Sequence, residues 1–125
     1  MNFRTIAELV ELANREKLPI SEIMILREME ISDRTYEEIF AQMERNLQVM
    51  EEAVERGIRG VQSVTGLTGG DAVLVQNYIQ EKTPLSGPIL LDAVSKAMAT
   101  NEVNAAMGII CATPTAGSAG TVPGV

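Results

Sequence analysis

The start of the chain alternates apolar and polar residues with the period of an α-helix. Thr5 is followed three residues later by Glu8, the capping-box pattern that opens a helix. The apolar residues that follow recur at helical spacing and predict an amphipathic helix over residues 5–17. Pro19 interrupts the pattern, and a short second helix is predicted to follow with Ser21 as its N-cap. The predicted inward side chains of this second helix are Ile23, Leu26 and Met29.

The longest periodic stretch predicts a helix that begins near residues 32–33 and ends at Gly57 or Gly60. Its apolar residues are three or four positions apart and form a seam: Tyr36, Ile39 or Phe40, Met43, Leu47, Met50 and Val54. Beside the seam, Glu52 and Arg56 are spaced to form an i,i+4 ion pair. Such a seam is typical of packing inside one helical domain or of a coiled coil, and its length favours the domain.

The remaining helices are separated by glycine and proline. Residues 61–70 are uncharged, and Asp71 is the predicted N-cap of a fourth helix. Its apolar residues are Ala72, Val75, Tyr78 and Ile79. After a break at residues 83–88, a longer helix is predicted over about 88–107, with Thr100 as an alternative point of re-initiation. No stretch of the sequence alternates apolar and polar residues with the period of two that is typical of a β-strand. The predicted fold is therefore all-α, with amphipathic helices and glycine-rich connecting loops.

Composition excludes several functional classes. The net charge of the 125 residues is −7 and no basic cluster is present, so nucleic acid is not an expected partner. The absence of histidine removes histidine-based catalytic triads and most zinc sites, and one cysteine cannot form an internal disulfide. The N-terminus lacks an unbroken apolar run, which makes a cytoplasmic location the expectation.

The last part of the chain is uncharged. Every charged residue lies at or before Glu102, and residues 103–125 are rich in Gly, Ala, Thr and Pro. That composition makes a poor membrane-spanning helix, so no membrane contact is expected. An uncharged terminal stretch is instead typical of a protein interior. We therefore expect the domain to be incomplete, with further polypeptide covering this stretch.

Two glycine-rich segments, residues 65–71 and 111–120, are the candidates for chemistry. Small residues let a ligand approach the backbone, and successive N–H groups can surround an anion such as a carboxylate. Neither segment matches the phosphate-binding pattern that ends in Gly-Lys-Ser or Gly-Lys-Thr. The alternative is that both are tight turns whose hydroxyl groups cap the following helices.

Other polar and reactive residues surround the second segment. Cys111 stands among apolar neighbours with no base to activate it, so it is predicted to be a small buried structural residue. Asp92, Glu102 and Asn104 lie on or near the helix that precedes the segment. Their spacing is consistent with lining a site and equally with capping helix ends.

Three segments resemble the α chain of the bacterial iron–sulfur-dependent L-serine dehydratases. They are SVTGLTGGDA (63–72), LSGPILLDAVSKAMATNEVNAAMG (85–108) and CATPTAGSAGTVPG (111–124). The resemblance spans essentially the whole chain and implies that residues 1–125 are the N-terminal part of an α-chain catalytic domain, truncated near residue 125. It implies a lyase that converts L-serine to pyruvate and ammonia, with this part inactive alone. The implied partners are L-serine, the β chain and the remainder of the α chain.

The resemblance also implies a cofactor and a substrate site. A [4Fe–4S] cluster acts as Lewis acid in the family, and its ligands are expected outside this chain, which supplies no metal ligand. The residues implied to approach the substrate are Thr113, Thr115, Gly117 and Ser118, and more weakly Thr68, Gly69 and Gly70. The weaker group is a candidate for the same pocket or for a cation held by carbonyl oxygens. No catalytic base is identified.

Two other functions compete with the lyase. A non-catalytic helical module would use the methionine-rich seam to pair with another chain. A small-anion-binding domain would use the two glycine-rich segments without catalysis. An interaction module should be a stable species of defined size, whereas the lyase part should gain activity only with its missing portions.

Overall fold

The computed structural model describes residues 2–125, and every regular element in that range is an α-helix. The helices are α1 (Ile6–Glu16), α2 (Ile20–Ser32), α3 (Tyr36–Arg59), α4 (Asp71–Glu81), α5 (Pro88–Ala105) and α6 (Ala116–Gly124). The all-α prediction is confirmed. The chain divides into two units, residues 1–45 and residues 46–125, which are described separately.

The first unit begins with the capping box that the sequence predicts. The Thr5 hydroxyl accepts a hydrogen bond from the Glu8 N–H (3.2 Å), and the Glu8 carboxylate accepts one from the Thr5 N–H (3.3 Å). α1 packs against α2, and each helix buries one apolar side chain, Leu12 on α1 and Ile23 on α2. The predicted N-cap of α2 is wrong, because α2 begins at Ile20 and Ser21 already lies inside it.

α3 begins later than predicted. Asp33 adopts a left-handed conformation (φ 54°) that ends α2, and its N–H donates to the carbonyl of Met29. A second reciprocal pair then opens α3: the Glu38 N–H donates to the Thr35 hydroxyl (3.3 Å), and the Thr35 N–H donates to the Glu38 carboxylate (2.9 Å). A predicted start near residues 32–33 is therefore wrong by about one turn of helix.

The seam of α3 is not buried along its length. Met43 and Leu47 are 63% and 55% exposed, whereas the buried residues of α3 are Ala53 and Gly57. Gly57 does not end the helix, as one alternative predicted. It lies where α3 meets α5, and a Cβ there would be 2.3 Å from the carbonyl oxygen of Ala99. The helix ends before Gly60, whose φ is 102°.

In the second unit, α4 runs antiparallel to α5. The Gln76 side chain of α4 donates to Asp92 Oδ1 (2.7 Å) and to the buried Ser95 hydroxyl. Five residues earlier on α4, the Asp71 N–H donates to Glu102 Oε1 (2.8 Å). α5 continues unbroken through Thr100, so the alternative of re-initiation at that residue is wrong.

α6 also runs antiparallel to α5, and the two helices approach closely. A Cβ on Gly120 would lie 2.7 Å from the carbonyl oxygen of Ala97, and one on Gly124 would lie 2.8 Å from that of Ala93. Only glycine permits this separation. The uncharged stretch is thus partly buried within the chain itself, although Ile109 is 78% exposed.

Only the first half of the second glycine-rich segment, residues 111–115, is a loop. α6 begins at Ala116, so Gly117 and Ser118 lie in the first turn of a helix and not in a connecting loop. A capping pair explains this start, because Thr115 stands three residues before Ser118. Among the described residues, no helix is long and apolar enough to cross a membrane.

Candidate functional site

The two glycine-rich segments lead into helices that begin at the same end of α5. α4 is antiparallel to α5 with its first residues beside Glu102. α6 is antiparallel to α5 with Gly120 beside Asn101, one turn after its start. Both helix N-termini therefore lie at the C-terminal end of α5. Helix N-termini carry partial positive charge and unpaired N–H groups, so this end has two sites at which an anion can bind.

The first of these N-termini is already occupied by a carboxylate of the chain. The N–H groups of Asp71 and Ala72 both donate to Oε1 of Glu102, at 2.8 and 3.3 Å. The predicted N-cap is wrong, since Asp71 is the first helical residue and Gly70 holds the N-cap position with φ 87°. The cap comes instead from a residue 31 positions further along the sequence.

Glu102 is buried with a hydrogen bond to only one of its oxygens. Its exposed fraction is 8%, and Oε2 has no hydrogen-bond partner among residues 2–125. Burial of a carboxylate is unfavourable, and the helix N-terminus offsets part of that cost. The sequence left two roles open for Glu102, and the structure shows that it caps α4.

Thr68, Gly69 and Gly70 shape the turn that leads into α4. Thr68 closes the turn, since its N–H donates to the Ser63 hydroxyl (3.2 Å) and its carbonyl accepts from the Ser63 N–H (2.8 Å). At Gly69 the φ is 128°, and a Cβ would lie 2.1 Å from the carbonyl oxygen of Val61. The conformation of the turn is therefore sufficient to explain why glycine occupies these positions. Their predicted contact with a ligand stays a prediction.

The second N-terminus is capped by neutral hydroxyl groups. The Ser118 N–H donates to the Thr115 hydroxyl, and the Thr115 N–H donates to the Ser118 hydroxyl, both at 3.1 Å. The Thr113 hydroxyl is 2.6 Å from that of Ser118. The three predicted hydroxyl groups therefore form one cluster at the start of α6.

Two backbone N–H groups at this N-terminus are available to a ligand. Ser118 and Ala119 donate their N–H groups to the hydroxyl and the carbonyl of Thr115. Ala116 and Gly117 have no acceptor for their N–H groups within the described part of the chain, as expected for the first positions of a helix. A Cβ on Gly117 would meet nothing within 4 Å, so the approach is open. The side chain of Ala116 gives no signal of this in the sequence, because what Ala116 offers is a backbone N–H group.

Of the other polar candidates, Asp92 is paired through its side chain and Asn104 through its backbone carbonyl. Asp92 accepts from Gln76 and forms a 2.7 Å ion pair with Lys96. The hydrogen bond from Lys96, followed by that from Gln76, lowers the pKa of the Asp92 carboxyl below its ordinary value. Asn104 is exposed and contributes its carbonyl to the end of α5.

The residues of this chain do not form an iron–sulfur site. A [4Fe–4S] cluster is held by several cysteine thiolates, and the chain has one cysteine and no histidine. Within residues 2–125 no three acidic, cysteine or histidine side chains are grouped as metal ligands. Cys111 is partly exposed, so the prediction that it is buried is wrong.

Arg56 does not form the ion pair that the sequence predicts. Glu52 instead accepts a hydrogen bond from Gln48 (2.8 Å). The Arg56 guanidinium lies against Gly108, with Nη1 2.9 Å from the position that a Cβ on that glycine would occupy. Gly108 is held there by a Schellman motif, in which its N–H donates to the carbonyl of Val103 (2.8 Å).

Comparison with known proteins identifies the same family that the sequence motifs resemble. The family profile described as "Serine dehydratase alpha chain" matches residues 15–125. The chain is 62% identical to the "Probable L-serine dehydratase, alpha chain" of Bacillus subtilis (strain 168) over 98% of its own length and 41% of that relative. It is 31% identical to the "L-serine dehydratase, alpha chain" of Peptoniphilus asaccharolyticus, over 95% and 41% of the two chains.

A third similarity covers a shorter stretch. The chain is 78% identical to the "Probable L-serine dehydratase, alpha chain" of Latilactobacillus sakei over 37 residues, which are 30% of this chain and 18% of that one. No solved structure matches. The chain spans about two fifths of the length of the two relatives that it matches nearly throughout. Because the family profile covers all but the first 14 residues, the chain belongs to the serine dehydratase alpha-chain family.

Proposed function

We propose that the chain provides the binding site for the substrate carboxylate in an L-serine dehydratase, an L-serine ammonia-lyase that forms pyruvate and ammonia. The site is the start of α6, with the N–H groups of Ala116 and Gly117 and the hydroxyl groups of Thr113, Thr115 and Ser118. The remainder of an α chain and a β chain complete the enzyme, which acts in the cytoplasm. Residues 1–125 alone are inactive.

The observation that supports this site most strongly is the contrast between two equivalent pairs of N–H groups. On α4, the N–H groups of the first two helical residues bind the carboxylate of Glu102. On α6, the N–H groups of the first two helical residues have no acceptor among the described residues. Glu102 thus demonstrates how this fold holds a carboxylate, and the start of α6 offers the same arrangement to one from outside.

The hydroxyl cluster adds donors that can be redirected. The Thr113 and Ser118 hydroxyls both donate to the carbonyl of Thr115, at 3.0 and 2.9 Å. A hydroxyl rotates freely about its C–O bond, so either can turn its proton toward a bound carboxylate. The capping pair of Thr115 and Ser118 holds the helix start in place while this happens.

The chemical consequence is stabilisation of charge during elimination. Removal of the Cα proton of L-serine places negative charge on Cα, which delocalises into the carboxylate. Hydroxide then leaves Cβ, and the resulting aminoacrylate tautomerises to an imine that water hydrolyses to pyruvate and ammonia. N–H groups and hydroxyls that hold the carboxylate bind more strongly as its charge increases, which lowers the barrier to proton removal.

A [4Fe–4S] cluster, which the family resemblance implies, takes all its ligands from outside residues 1–125 under this proposal. Thr68, Gly69 and Gly70 position the start of α4 beside the same end of α5. The carboxylate site of this proposal is placed at α6 and not at these residues, because Glu102 already occupies the N–H groups that follow them.

The test uses a chimeric α chain in which residues 1–125 replace the matching part of the Bacillus subtilis chain, produced with the β chain of that organism. We call this the reconstituted enzyme. Pyruvate formation from L-serine is the first expected result. Thr115→Ala should then raise KM for L-serine about tenfold, as expected for loss of hydrogen bonds to a charged group, and leave the iron content unchanged.

Thr5→Ala is the matched control, because Thr5 caps α1 with the same kind of reciprocal pair. Both substitutions should lower stability by about 1 kcal/mol, yet only Thr115→Ala should change KM. Unchanged kinetics for Thr115→Ala, with normal iron, would contradict the site.

An interaction role for α3 is a second function, supported by the exposed seam. Phe40, Met43 and Leu47 are 48%, 63% and 55% exposed and follow one another at helical spacing. Met43→Glu should weaken co-purification of the chimeric α chain with the β chain, and Glu44→Gln, on an exposed polar position, should not. Equal recovery of both variants would argue against this role.

A further inference from the structure

Glu102 has a buried polar atom whose partner the chain does not supply. Its Oε1 accepts from the N–H groups of Asp71 and Ala72, whereas its Oε2 has no hydrogen-bond partner among residues 2–125. The whole residue is 8% exposed. A buried carboxylate oxygen without a partner is costly, and an atom of this kind indicates a group that binds there.

The burial of Oε2 limits what that group can be. Residues 2–125 enclose the atom by themselves, so a donor from the β chain or from the remainder of the α chain cannot reach it while α4 is folded. None of the ion pairs found within residues 2–125 includes Glu102. The partner of Oε2 must therefore be small enough to lie inside the folded chain, which leaves a single ion or a water molecule.

The charge at the start of α4 favours a cation over water. Glu102 carries one negative charge, and Asp71 brings a second carboxylate to the same helix start. The side chain of Asp71 forms no hydrogen bond or ion pair within the described part of the chain. The helix N-terminus offsets only about half of one charge. Water leaves the remaining negative charge in place, whereas a cation neutralises it.

The turn that precedes α4 has a carbonyl oxygen able to act as a further ligand. Gly69, two residues before Asp71, packs against the carbonyl of Val61. That carbonyl accepts no hydrogen bond from residues 2–125, so its lone pairs are free. Carboxylate and carbonyl oxygens are the ligands that hard cations prefer.

These oxygens suit a monovalent ion better than a divalent one. Ca²⁺ sites draw on several carboxylates, and Mg²⁺ sites on carboxylates together with substrate phosphates. Here Oε1 of Glu102 is committed to two N–H groups, and within residues 2–125 no three acidic, cysteine or histidine side chains are grouped. The partial positive charge of the helix N-terminus also repels a divalent ion more strongly. Carbonyl oxygens, by contrast, can replace the hydration shell of K⁺.

We propose that Oε2 of Glu102 binds a monovalent cation, Na⁺ or K⁺, together with the carboxylate of Asp71 and carbonyl oxygens of the turn at residues 61–70. The ion joins this turn to the C-terminal end of α5 and neutralises the buried charge of the α4 cap. This inference goes beyond the proposed function and does not depend on it, because none of these ligands belongs to the site proposed at the start of α6.

The test compares thermal denaturation of the chain in NaCl, KCl and tetramethylammonium chloride at equal ionic strength, with MgCl₂ and CaCl₂ as further arms. Tetramethylammonium screens charge as Na⁺ and K⁺ do, but it is too large to enter a buried site. Na⁺ or K⁺ should raise the denaturation midpoint by about 5 °C relative to tetramethylammonium, since a ligand that binds only the folded chain stabilises it. Sodium NMR is independent of unfolding: the folded chain should broaden the Na⁺ resonance, and added K⁺ should reverse the broadening.

Glu102→Gln is the decisive variant, because it keeps an oxygen to cap α4 and replaces Oε2 with an amide group that only donates. Its midpoint should be the same in NaCl, KCl and tetramethylammonium chloride. Asp71→Asn should reduce the difference between the salts. Glu81→Gln, at the exposed opposite end of α4, is the matched control and should leave the difference unchanged. Each variant is compared with itself across the salts, so a general loss of stability does not affect the result.

The outcomes decide between an ion and water. Equal midpoints of the unsubstituted chain in the three monovalent salts, with no broadening of the Na⁺ resonance, would overturn the proposal and assign Oε2 to a water molecule. A salt response that persists in Glu102→Gln would place the ion elsewhere and overturn it as well, and so would stabilisation by Mg²⁺ or Ca²⁺ alone. A response to Na⁺ or K⁺ that Glu102→Gln abolishes and Glu81→Gln retains supports the site, whether or not the reconstituted enzyme forms pyruvate.

Discussion

The starts of α4 and α6 are two solutions to the same electrostatic problem. Each follows a glycine-rich segment, each lies at the C-terminal end of α5, and each leaves N–H groups without helical partners. At α4 the chain supplies a buried carboxylate from Glu102. At α6 it supplies only the neutral hydroxyl groups of Thr115 and Ser118.

This difference separates an N-terminus filled by a carboxylate of the chain from one at which two N–H groups remain open. Glu102 cannot be replaced by a ligand at α4, since it is buried and bonded to both N–H groups. At α6 the capping pair satisfies the Ser118 N–H and leaves those of Ala116 and Gly117 open. Similar glycine-rich sequences thus do not imply similar roles.

The largest expected effect comes from removal of the cap of α4. Glu102→Ala should destabilise the chain by about 3 kcal/mol, because one part-buried and one buried N–H group lose a charged acceptor. Glu102→Gln keeps one acceptor oxygen in place and should cost about 1 kcal/mol. Urea denaturation measures both. A stability for Glu102→Ala equal to that of the unsubstituted chain would contradict the structural assignment of this N-terminus.

A smaller effect is expected where α6 packs on α5. Gly120→Ala should destabilise by about 2 kcal/mol, because the new Cβ would lie 2.7 Å from the carbonyl oxygen of Ala97. Gly117→Ala is the matched control on the same helix. Nothing lies within 4 Å of its Cβ position, so it should stabilise by about 0.5–1 kcal/mol through helix propensity. Thermal denaturation that gave both variants the same midpoint would show that the close packing is absent.

The smallest effect is expected at Asp92, which joins α4 to α5 through Gln76. Its pKa is lowered in the folded chain, chiefly by Lys96, so the ionised form stabilises the fold at neutral pH. Because the ion pair is more than one-third exposed, Asp92→Asn should cost about 0.5 kcal/mol or less at pH 7. The difference should shrink as the pH falls below 3.8, the ordinary pKa of the carboxyl, and vanish below the lowered pKa of the folded chain. Denaturation curves at pH 7 and pH 3 test this, and a difference that grows in acid would contradict it.

The sequence determined those features that depend on neighbours a few positions apart. The capping pair at Thr5 and Glu8 was predicted correctly because both partners lie within one helical turn. Ile23 was predicted to be inward from its spacing and is fully buried. The start of α6 also carries a local signal, Thr115 three residues before Ser118, but the glycine content of the segment favoured a loop.

Tertiary structure alone decided that the helix after the first glycine-rich segment is capped by a carboxylate of the chain. The cap of α4 comes from Glu102, 31 residues away in the sequence, and no local pattern links the two. The same holds for Arg56, whose local spacing predicts a pair with Glu52 but which lies against Gly108 instead. Capping pairs such as Thr5 with Glu8 depend on short-range hydrogen bonds along the chain. The partner of a charged side chain depends on which helices pack together, and that is a property of the folded chain.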